Sequence, residues 1–190
     1  MPPQDLRTRK KLAVMQRVQD AAIELFERHG FAAVTVEQVA RAAEVGAASV
    51  FRNFGTKEAL VLWDEYDPTL FEAIERRLRQ GRRPLDAARA ALVEQVGAIY
   101  TSDKKRILRR TDLTMKTPAL AAAARLNVHQ LRAGFEQLLA PYVRERLQRE
   151  LTAAVLASTL EVAVEEWRRR RARVSLAVLL ERAFDRLSQL

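Results

Sequence analysis

Cysteine is absent from this chain of 190 residues, and glycine and proline occur only six times each. Without cysteine, the chain can form no disulfide, no thiolate metal site and no cysteine nucleophile. Its two histidines, His29 and His129, lie far apart in the sequence, so a zinc site is also not expected. Because glycine and proline are scarce while alanine, leucine, arginine and glutamate are abundant, the composition predicts an all-α protein.

Long apolar runs and catalytic motifs are also missing. No run approaches the roughly 20 residues of a membrane span, and the N-terminal MPPQDLRTRKK lacks the apolar stretch of a signal peptide. We therefore expect a soluble, cytoplasmic protein with no membrane partner. The sequence contains no nucleophile elbow, no glycine-rich phosphate loop and no HExxH arrangement, so we expect neither enzyme activity nor a cofactor or metal.

Basic residues outnumber acidic ones by 33 to 24, and the net charge of +9 suggests a polyanionic partner. The excess is spread along the chain. Residues 1–57 carry nine basic and six acidic residues, a net of +3, and the remainder carries 24 and 18, a net of +6. Charge alone therefore does not locate a nucleic-acid surface. A short basic arm either reaches phosphates or a minor groove, or is a solvated tail, and it contains Arg7, Arg9, Lys10 and Lys11.

Two short helical patterns with a tight turn between them lie within residues 34–60. Thr35 is expected to cap the first helix, with Gln38 reaching back to complete a capping box. The apolar face of this helix follows at helical spacing and consists of Val36, Val39, Ala40 and Ala43. Gly46 is placed to turn the chain or to cap the second helix, Ala47–Phe54. This geometry is typical of a helix-turn-helix.

The same residues resemble the DNA-binding signature of TetR-family transcription regulators. The segments that carry the resemblance are Thr35-Val36, Ala43-Glu44-Val45-Gly46, Ser49-Val50-Phe51 and the run from Phe54 to Leu60. The resemblance extends from about Val14 to about Leu62. This chain departs from the usual family pattern, which has Gly at Glu44, Ser at Gly46, Gly at Ala48 and Tyr at Phe51. The missing tyrosine hydroxyl leaves one expected phosphate contact without its donor.

The resemblance implies a DNA interface on the second helix of the motif. Ala47, Ala48 and Ser49 are expected to approach base edges, and Arg52 to read guanine or to bind phosphate. The residues expected by family position to contact the phosphate backbone are Thr35, Phe51, Asn53 and Lys57. The resemblance also implies a homodimer on a pseudopalindromic double-stranded operator, because a two-fold axis would relate the two reading helices.

Helical patterns continue on both sides of this motif. An amphipathic helix over Val14–His29 is expected to brace it, and Thr56 to cap a fourth helix that ends near Tyr66. The later helices are expected over residues 68–80, 85–101, 103–115, 118–147, 151–170 and 175–188. Pro141 lies inside one of these patterns and is expected to kink or split it.

The last two helical patterns are apolar around more of their circumference than one core requires. A surplus apolar face usually marks a partner surface, and two such helices per subunit would build a four-helix dimer interface, as the resemblance implies. The alternative is one large monomeric core. The residues expected in the interface are Leu156, Leu160, Ala163, Leu176, Leu179, Leu180, Ala183, Phe184 and Leu187. The chain would then comprise a helix-turn-helix domain, residues 1–57, and a ligand-binding and dimerisation domain, residues 58–190.

A narrower resemblance concerns the second domain. The run from Leu60 to Pro68 and the Arg- and Ala-rich bundle after it are similar to the mycofactocin-type branch of TetR regulators, which is associated with long-chain acyl-CoA ligands. The residues expected to line an apolar pocket are Trp63, Tyr66, Ile99, Leu113, Leu126, Phe135 and Leu156. Basic clusters within residues 76–83 and 104–110 are either a solvated rim or a guard that holds the phosphates of a CoA head group.

The favoured function is a homodimeric transcription regulator, most often a repressor in this family, released from its operator by a small, largely apolar ligand such as a long-chain acyl-CoA. Two alternatives come from other classes of protein. An architectural DNA-binding protein that needs no ligand would lack a sizeable apolar pocket in the second domain. A helical enzyme with an incidental helix-turn-helix is disfavoured by the missing catalytic residues.

Overall fold

A computed structural model of the chain describes residues 6–63, 67–187 and 189, and the regular elements of these residues are all helices. The first four are α1 (Leu6–His29), α2 (Val36–Ala42), α3 (Ala47–Phe54) and α4 (Ala59–Leu62). The others are α5 (Asp67–Arg79), α6 (Pro84–Ala91), a π-helical segment (Leu92–Val96), α7 (Gly97–Ser102), α8 (Lys104–Lys116), α9 (Pro118–Leu139), α10 (Arg146–Arg169) and α11 (Leu176–Leu187). The predicted all-α class with an N-terminal helix-turn-helix is confirmed. In the described ranges, no helix is long and apolar enough to cross a membrane.

The chain forms two compact units. The first unit comprises Met1–Glu65 and Arg109–Ala123, and the second comprises Tyr66–Leu108 and Ala124–Leu190. The core of the first unit is built from α1 to α4 together with Leu113 and Leu120, which come from much later in the chain. The first unit is therefore discontinuous in sequence, and the domain boundary between residues 57 and 58 stays a prediction.

Helix α1 starts well before the expected Val14. It begins at Leu6, so the basic arm that contains Arg7, Lys10 and Lys11 is helical and exposed. Whether this arm contacts nucleic acid stays a prediction. Further along α1, Val18, Ala22 and Phe26 turn their side chains into the core of the first unit at helical spacing.

Local hydrogen bonds close both ends of α2. The Thr35 hydroxyl accepts from the Gln38 N–H at 3.2 Å, and the Gln38 side chain accepts from the Thr35 N–H at 2.7 Å, which confirms the capping box. At the other end of α2, the N–H groups of Glu44 and Val45 donate to the carbonyls two and three residues before the helix cap, as in a Schellman motif. Glu44 has a φ of 54° there, so it occupies the left-handed position where glycine is usual. Gly46 caps α3 with an ordinary φ of −63°.

Helix α4 is shorter than the sequence predicts. The Thr56 hydroxyl accepts from the Ala59 N–H at 3.1 Å, but the N-cap of α4 is Glu58, so Thr56 closes the turn before the helix instead of capping it. The helix ends at Leu62 rather than near Tyr66, because Trp63 leaves helical geometry at a ψ of 129°. Tyr66 lies outside the described residues.

In the second unit, Pro141 splits the long pattern that contains it. Helix α9 ends at Leu139 and α10 begins at Arg146, since proline provides no N–H to continue the helix. The expected helix over residues 85–101 is present as α6, the π-helical segment and α7. A Cβ added to Gly97 would lie 2.7 Å from the Ala177 Cβ, so glycine at this position permits the close packing of α7 on α11.

We expect Glu44→Gly to raise the free energy of unfolding by about 0.5–1 kcal/mol, because it removes a Cβ from left-handed backbone. In a chain of this length, that change corresponds to a melting temperature higher by about 1–4 °C. Glu44→Ala is the matched control, since it removes the same carboxylate but keeps the Cβ. Thermal unfolding followed by circular dichroism compares the three proteins. Equal stabilisation by alanine would assign the effect to charge instead of backbone conformation.

Candidate nucleic-acid interface

Helix α3 has one buried face and one exposed face. Val50 is 1% exposed and packs in the core of the first unit, with Phe54 half-buried beside it. On the opposite side, Ala48, Phe51 and Arg52 are exposed, as their spacing of three and four residues requires of a shared helical face. The structure therefore brings three of the expected DNA-contacting residues onto one accessible surface.

Phe51 stands out on this surface because 45% of it is exposed, although it is large and apolar. The phenyl ring has no hydroxyl and cannot donate to a phosphate oxygen. It can contact thymine methyl groups and deoxyribose carbons. Phe51 and Arg52 therefore present an apolar ring and a cation on neighbouring residues of the exposed face.

Ser49 and Asn53 lie one helical turn apart and contact each other. The Asn53 Nδ2 donates to the Ser49 backbone carbonyl at 2.8 Å and lies 3.5 Å from the Ser49 hydroxyl oxygen. Both side chains are half-buried, as is Ala47 at the start of the helix. Asn53 is thus anchored to the preceding turn of α3 through the Ser49 carbonyl, and the phosphate contact that the resemblance implies stays a prediction.

Thr35 and Lys57 are held by protein groups. The Thr35 hydroxyl oxygen accepts from Gln38, which leaves its O–H hydrogen to donate outward. The Lys57 ammonium donates to the carbonyl of Phe31 and lies 4.4 Å from the centre of the Phe31 ring. Phe31 in turn packs edge-on against Phe26, with ring centres 4.9 Å apart. Lys57 therefore fixes the connection between α1 and α2, a role that the sequence motif did not indicate, and its phosphate contact stays a prediction.

The residues expected to line a ligand pocket are distributed over both units, with Trp63 and Leu113 in the first, Ile99, Leu126, Phe135 and Leu156 in the second, and Tyr66 outside the described residues. Phe135 and Leu156 are fully buried in the core of the second unit, and Ile99 packs against that core. Leu113 is buried in the core of the first unit, whereas Leu126 is 61% exposed on α9. The structure thus places Ile99, Phe135 and Leu156 in one core, and the complete pocket stays a prediction.

Most residues expected in the dimer interface are buried inside the protomer. Those in the core of the second unit are Leu156, Ala163, Leu176, Leu179, Leu180 and Phe184, while Leu160, Ala183 and Leu187 are half-buried. A side chain that is buried in its own protomer has no surface left for a partner while that fold persists. Leu160, Ala183 and Leu187 keep part of their surface accessible, and the predicted dimer interface stays a prediction.

An exposed apolar stripe on α10 lies outside the residues that the sequence predicts for the dimer interface. Leu147, Leu151 and Val162 are 62%, 57% and 63% exposed, although they are large and apolar. Val155 and Ser158 complete a spacing of three and four residues between them, so these five residues share one face of the helix. This spacing is visible in the sequence, but α10 is apolar on several faces, and the pattern alone did not tell which face the protomer buries.

Many basic residues of the expected clusters are paired inside the protein. Arg77 pairs with Glu94, and Arg83 contacts Asp86 at 2.7 Å. Arg109 pairs with Glu27 of α1 at 2.5 Å, and this hydrogen-bonded carboxylate raises the pKa of the guanidinium. Several members of the clusters are thus engaged by acidic side chains of their own unit.

Comparison with known proteins assigns this geometry to a family. The profile of the tetR family of bacterial regulatory proteins matches residues 19–62, and the MftR C-terminal domain matches residues 82–190. A protein of Mycobacterium tuberculosis named for mycofactocin biosynthesis, the transcriptional regulator MftR, is 30% identical and aligns with 97% of this chain and 94% of its own length. All residues expected at the DNA interface lie within the first matched range.

Two solved structures resemble the whole chain. FadR of Thermus thermophilus, a TetR-family transcriptional repressor in complex with lauroyl-CoA, aligns with a TM-score of 0.56 and 25% identity over 90% of this chain and 91% of that chain. The SmeT–triclosan complex has a TM-score of 0.58 at 18% identity over 91% of this chain and 90% of that chain, which shows likeness of fold alone. The relatives are regulators rather than enzymes, as the sequence predicts for this chain.

We expect Arg52→Ala to weaken binding to a DNA duplex selected by the wild-type protein by roughly 1–3 kcal/mol, because the exposed guanidinium would contact guanine or phosphate. If Arg52 reads a base, specificity relaxes at that base pair; if it binds phosphate, affinity falls equally on all sequences. Arg182→Ala, an exposed arginine of α11, is the charge-matched control. Unchanged titrations with Arg52→Ala would remove this residue from the interface.

Proposed function

We propose a specific role from one premise, namely that this chain belongs to the TetR family of bacterial regulatory proteins and is a transcriptional regulator of that type. The proposed role is that of a cytoplasmic homodimeric repressor, released from a pseudopalindromic operator by a small, largely apolar ligand. The observation that carries the proposal is the exposed face of α3 with Ala48, Phe51 and Arg52, held in a helix-turn-helix by buried Val50.

In this proposal, the helix-turn-helix in residues 1–57 reads DNA, and residues 58–190 bind the ligand and form the dimer. The bases are approached by Ala47, Ala48 and Ser49 at the start of α3, because the N-terminal part of a recognition helix contacts base edges in the major groove. Arg109–Ala123, although later in the chain, belongs to the same compact unit as the helix-turn-helix.

Dimerisation is supported by the stripe on α10, in which Leu147, Leu151 and Val162 are exposed, Val155 is half-buried and Ser158 is exposed and polar. Exposed apolar surface of this extent on one helix is unfavourable in water and usually marks a partner surface. We assign it to a second copy of this chain, since a two-fold axis lets α10 of each subunit cover the stripe of the other. The two reading helices would then face successive half-sites of the operator.

The stripe ends at a cluster of charged residues. Glu165 accepts from Arg168 and Arg169, and the hydrogen bond from Arg168 lowers the pKa of its carboxyl group. Charged groups that are half-exposed and paired in this way suit the polar rim of an interface better than its apolar centre. We therefore place the centre of the dimer contact between Leu151 and Val162.

The ligand class we propose is a long-chain acyl-CoA. Two findings support it: the match of residues 82–190 to the MftR C-terminal domain, and the likeness to FadR of Thermus thermophilus, which was solved with lauroyl-CoA. An acyl chain would lie among the apolar side chains near Ile99, Phe135 and Leu156. The head-group phosphates would meet exposed cations of the second unit, for which Arg76, Arg82, Lys104 and Lys105 are the candidates.

We expect Val162→Asp to convert the dimer to a folded monomer, because pairing two stripes would bury an uncompensated carboxylate at a cost of several kcal/mol. Leu126→Asp is the matched control, since Leu126 is 61% exposed on α9, outside the stripe. Sedimentation at micromolar concentration measures the mass, and circular dichroism checks the fold. A wild-type monomer, or a Val162→Asp dimer, would contradict the proposed interface.

We expect a long-chain acyl-CoA to release the protein from a selected DNA duplex, with neither CoA nor the free fatty acid able to do so alone. Both halves of the ligand are needed, because the apolar core binds the chain and the exposed cations bind phosphates. Fluorescence anisotropy of labelled duplex, with each compound added separately, measures release. Equal release by fatty acid would exclude the cations from recognition. If none of the compounds causes release, the proposed long-chain acyl-CoA is not the ligand of this protein.

A further inference from the structure

A segment far from the helix-turn-helix in sequence belongs to the DNA-binding unit. Arg109–Ala123, from the second half of α8 to the start of α9, is part of the first unit. Leu113 and Leu120 are 8% and 0% exposed, and both pack in the core that α1 to α4 build. Two polar residues at the start of the segment, Arg109 and Arg110, contact other parts of the same unit. Their partners suggest a common role.

The partner of Arg110 is the C-terminal end of α4. The last carbonyls of a helix have no intrahelical partner, and at Trp63 this deficit is met by side chains. The Trp63 carbonyl accepts from Gln19 Nε2 at 2.8 Å and from Arg110 Nη1 at 3.0 Å. Gln19, which is 1% exposed on α1, also donates to the Val61 carbonyl at 3.0 Å. The end of α4 is therefore hydrogen-bonded to both α1 and α8.

The partner of Arg109 is Glu27, near the C-terminal end of α1. Arg109 donates to the Glu27 Oε2 through Nε at 2.6 Å and approaches it through Nη2 at 2.5 Å. The core residue of α1 just before Glu27, Phe26, packs on Phe31, and the Phe31 carbonyl accepts from Lys57 just before α4. Arg109 thus holds the part of α1 that leads into the helix-turn-helix.

We infer that Arg109 and Arg110 are positioning residues of the DNA interface. They act through α1 and α4, the helices that support α2 and α3, and do not themselves contact DNA. Any displacement of these supports changes the placement of the exposed face of α3. The inference rests on the proposed DNA-binding function and deepens it, because it assigns two arginines outside the helix-turn-helix to the accuracy of reading.

The competing role for a partly exposed arginine is a direct phosphate contact, and Glu27→Gln distinguishes the two by the sign of its effect. A positioning role predicts weaker DNA binding, because Arg109 loses its carboxylate partner. A phosphate contact predicts tighter binding, because a negative charge disappears and the guanidinium is released for DNA. Glu24→Gln is the matched control, since Glu24 is also on α1 but pairs with Arg28 one turn later on the same helix.

The experiment uses the full-length protein and a duplex that the wild type has selected from a randomised pool, with a scrambled duplex for comparison. We expect Glu27→Gln to weaken binding to the selected duplex by about two- to fivefold, as suits a half-exposed ion pair. Glu24→Gln should bind at least as tightly as the wild type. Tighter binding by Glu27→Gln alone, or unchanged binding, would overturn the inference for Arg109.

Arg110→Gln should weaken binding to the selected duplex on the order of tenfold, as expected for the loss of a hydrogen bond from a charged donor. Binding to the scrambled duplex should change little, because non-specific affinity depends on phosphate contacts. A variant that is merely less folded would lose affinity equally for both duplexes. If Arg110→Gln does not fold, Arg110→Lys is compared instead: it keeps the charge but not the geometry of the guanidinium, so a smaller loss confined to the selected duplex is expected.

The dependence of affinity on salt gives a second readout. A positioning residue leaves the slope of log K against log salt unchanged, whereas the loss of a phosphate contact reduces it by about one. A reduced slope for Arg109→Gln or Arg110→Gln would overturn the inference and assign that arginine to the phosphate backbone. If the wild type selects no sequence from the pool, the proposed function fails; if it selects one and the variants bind it normally, only the inference fails.

Discussion

Short helices leave most of their backbone polar groups without intrahelical partners, and this constraint governs the first unit. Each helix end leaves four N–H or four C=O groups to be satisfied elsewhere, yet α4 has only four residues and α2 only seven. Side chains supply the missing partners at Thr35, Thr56 and Gln19. These caps therefore help to hold the first unit together beside its apolar core.

Because these caps are local, the sequence predicted much of the DNA-binding unit. Thr35 and Gln38 are three residues apart, and the spacing alone specifies the capping box that the structure contains. The ends of α3 were also predicted. What local pattern could not reveal was the partner of a residue distant in sequence: nothing about Arg109 in its own helix indicates Glu27, which lies on α1. The long-range contacts of Lys57 were hidden for the same reason.

The second unit shows a different limit of sequence reasoning. Apolar residues on α10 and α11 were predicted to face a partner, and the structure buries Leu179, Phe184 and Ala163 in the core of the second unit. A helix that is apolar on several sides carries little information about which side faces its own protomer, because that choice depends on the neighbouring helices. Only exposure in the folded chain singles out Leu151 and Val162.

The distribution of charge along the chain is explained by local pairing of basic side chains with nearby carboxylates. Many arginines after residue 57 lie three or four residues from a carboxylate and pair with it, as Arg79 does with Glu75 and Arg146 with Glu150. Half-exposed pairs of this kind contribute little to stability, but they lower the positive potential around the helices that carry them. The modest excess of +3 in residues 1–57 is then no argument against DNA binding. A helix-turn-helix needs a few well-placed donors, and at Arg52 the guanidinium is exposed on the reading face.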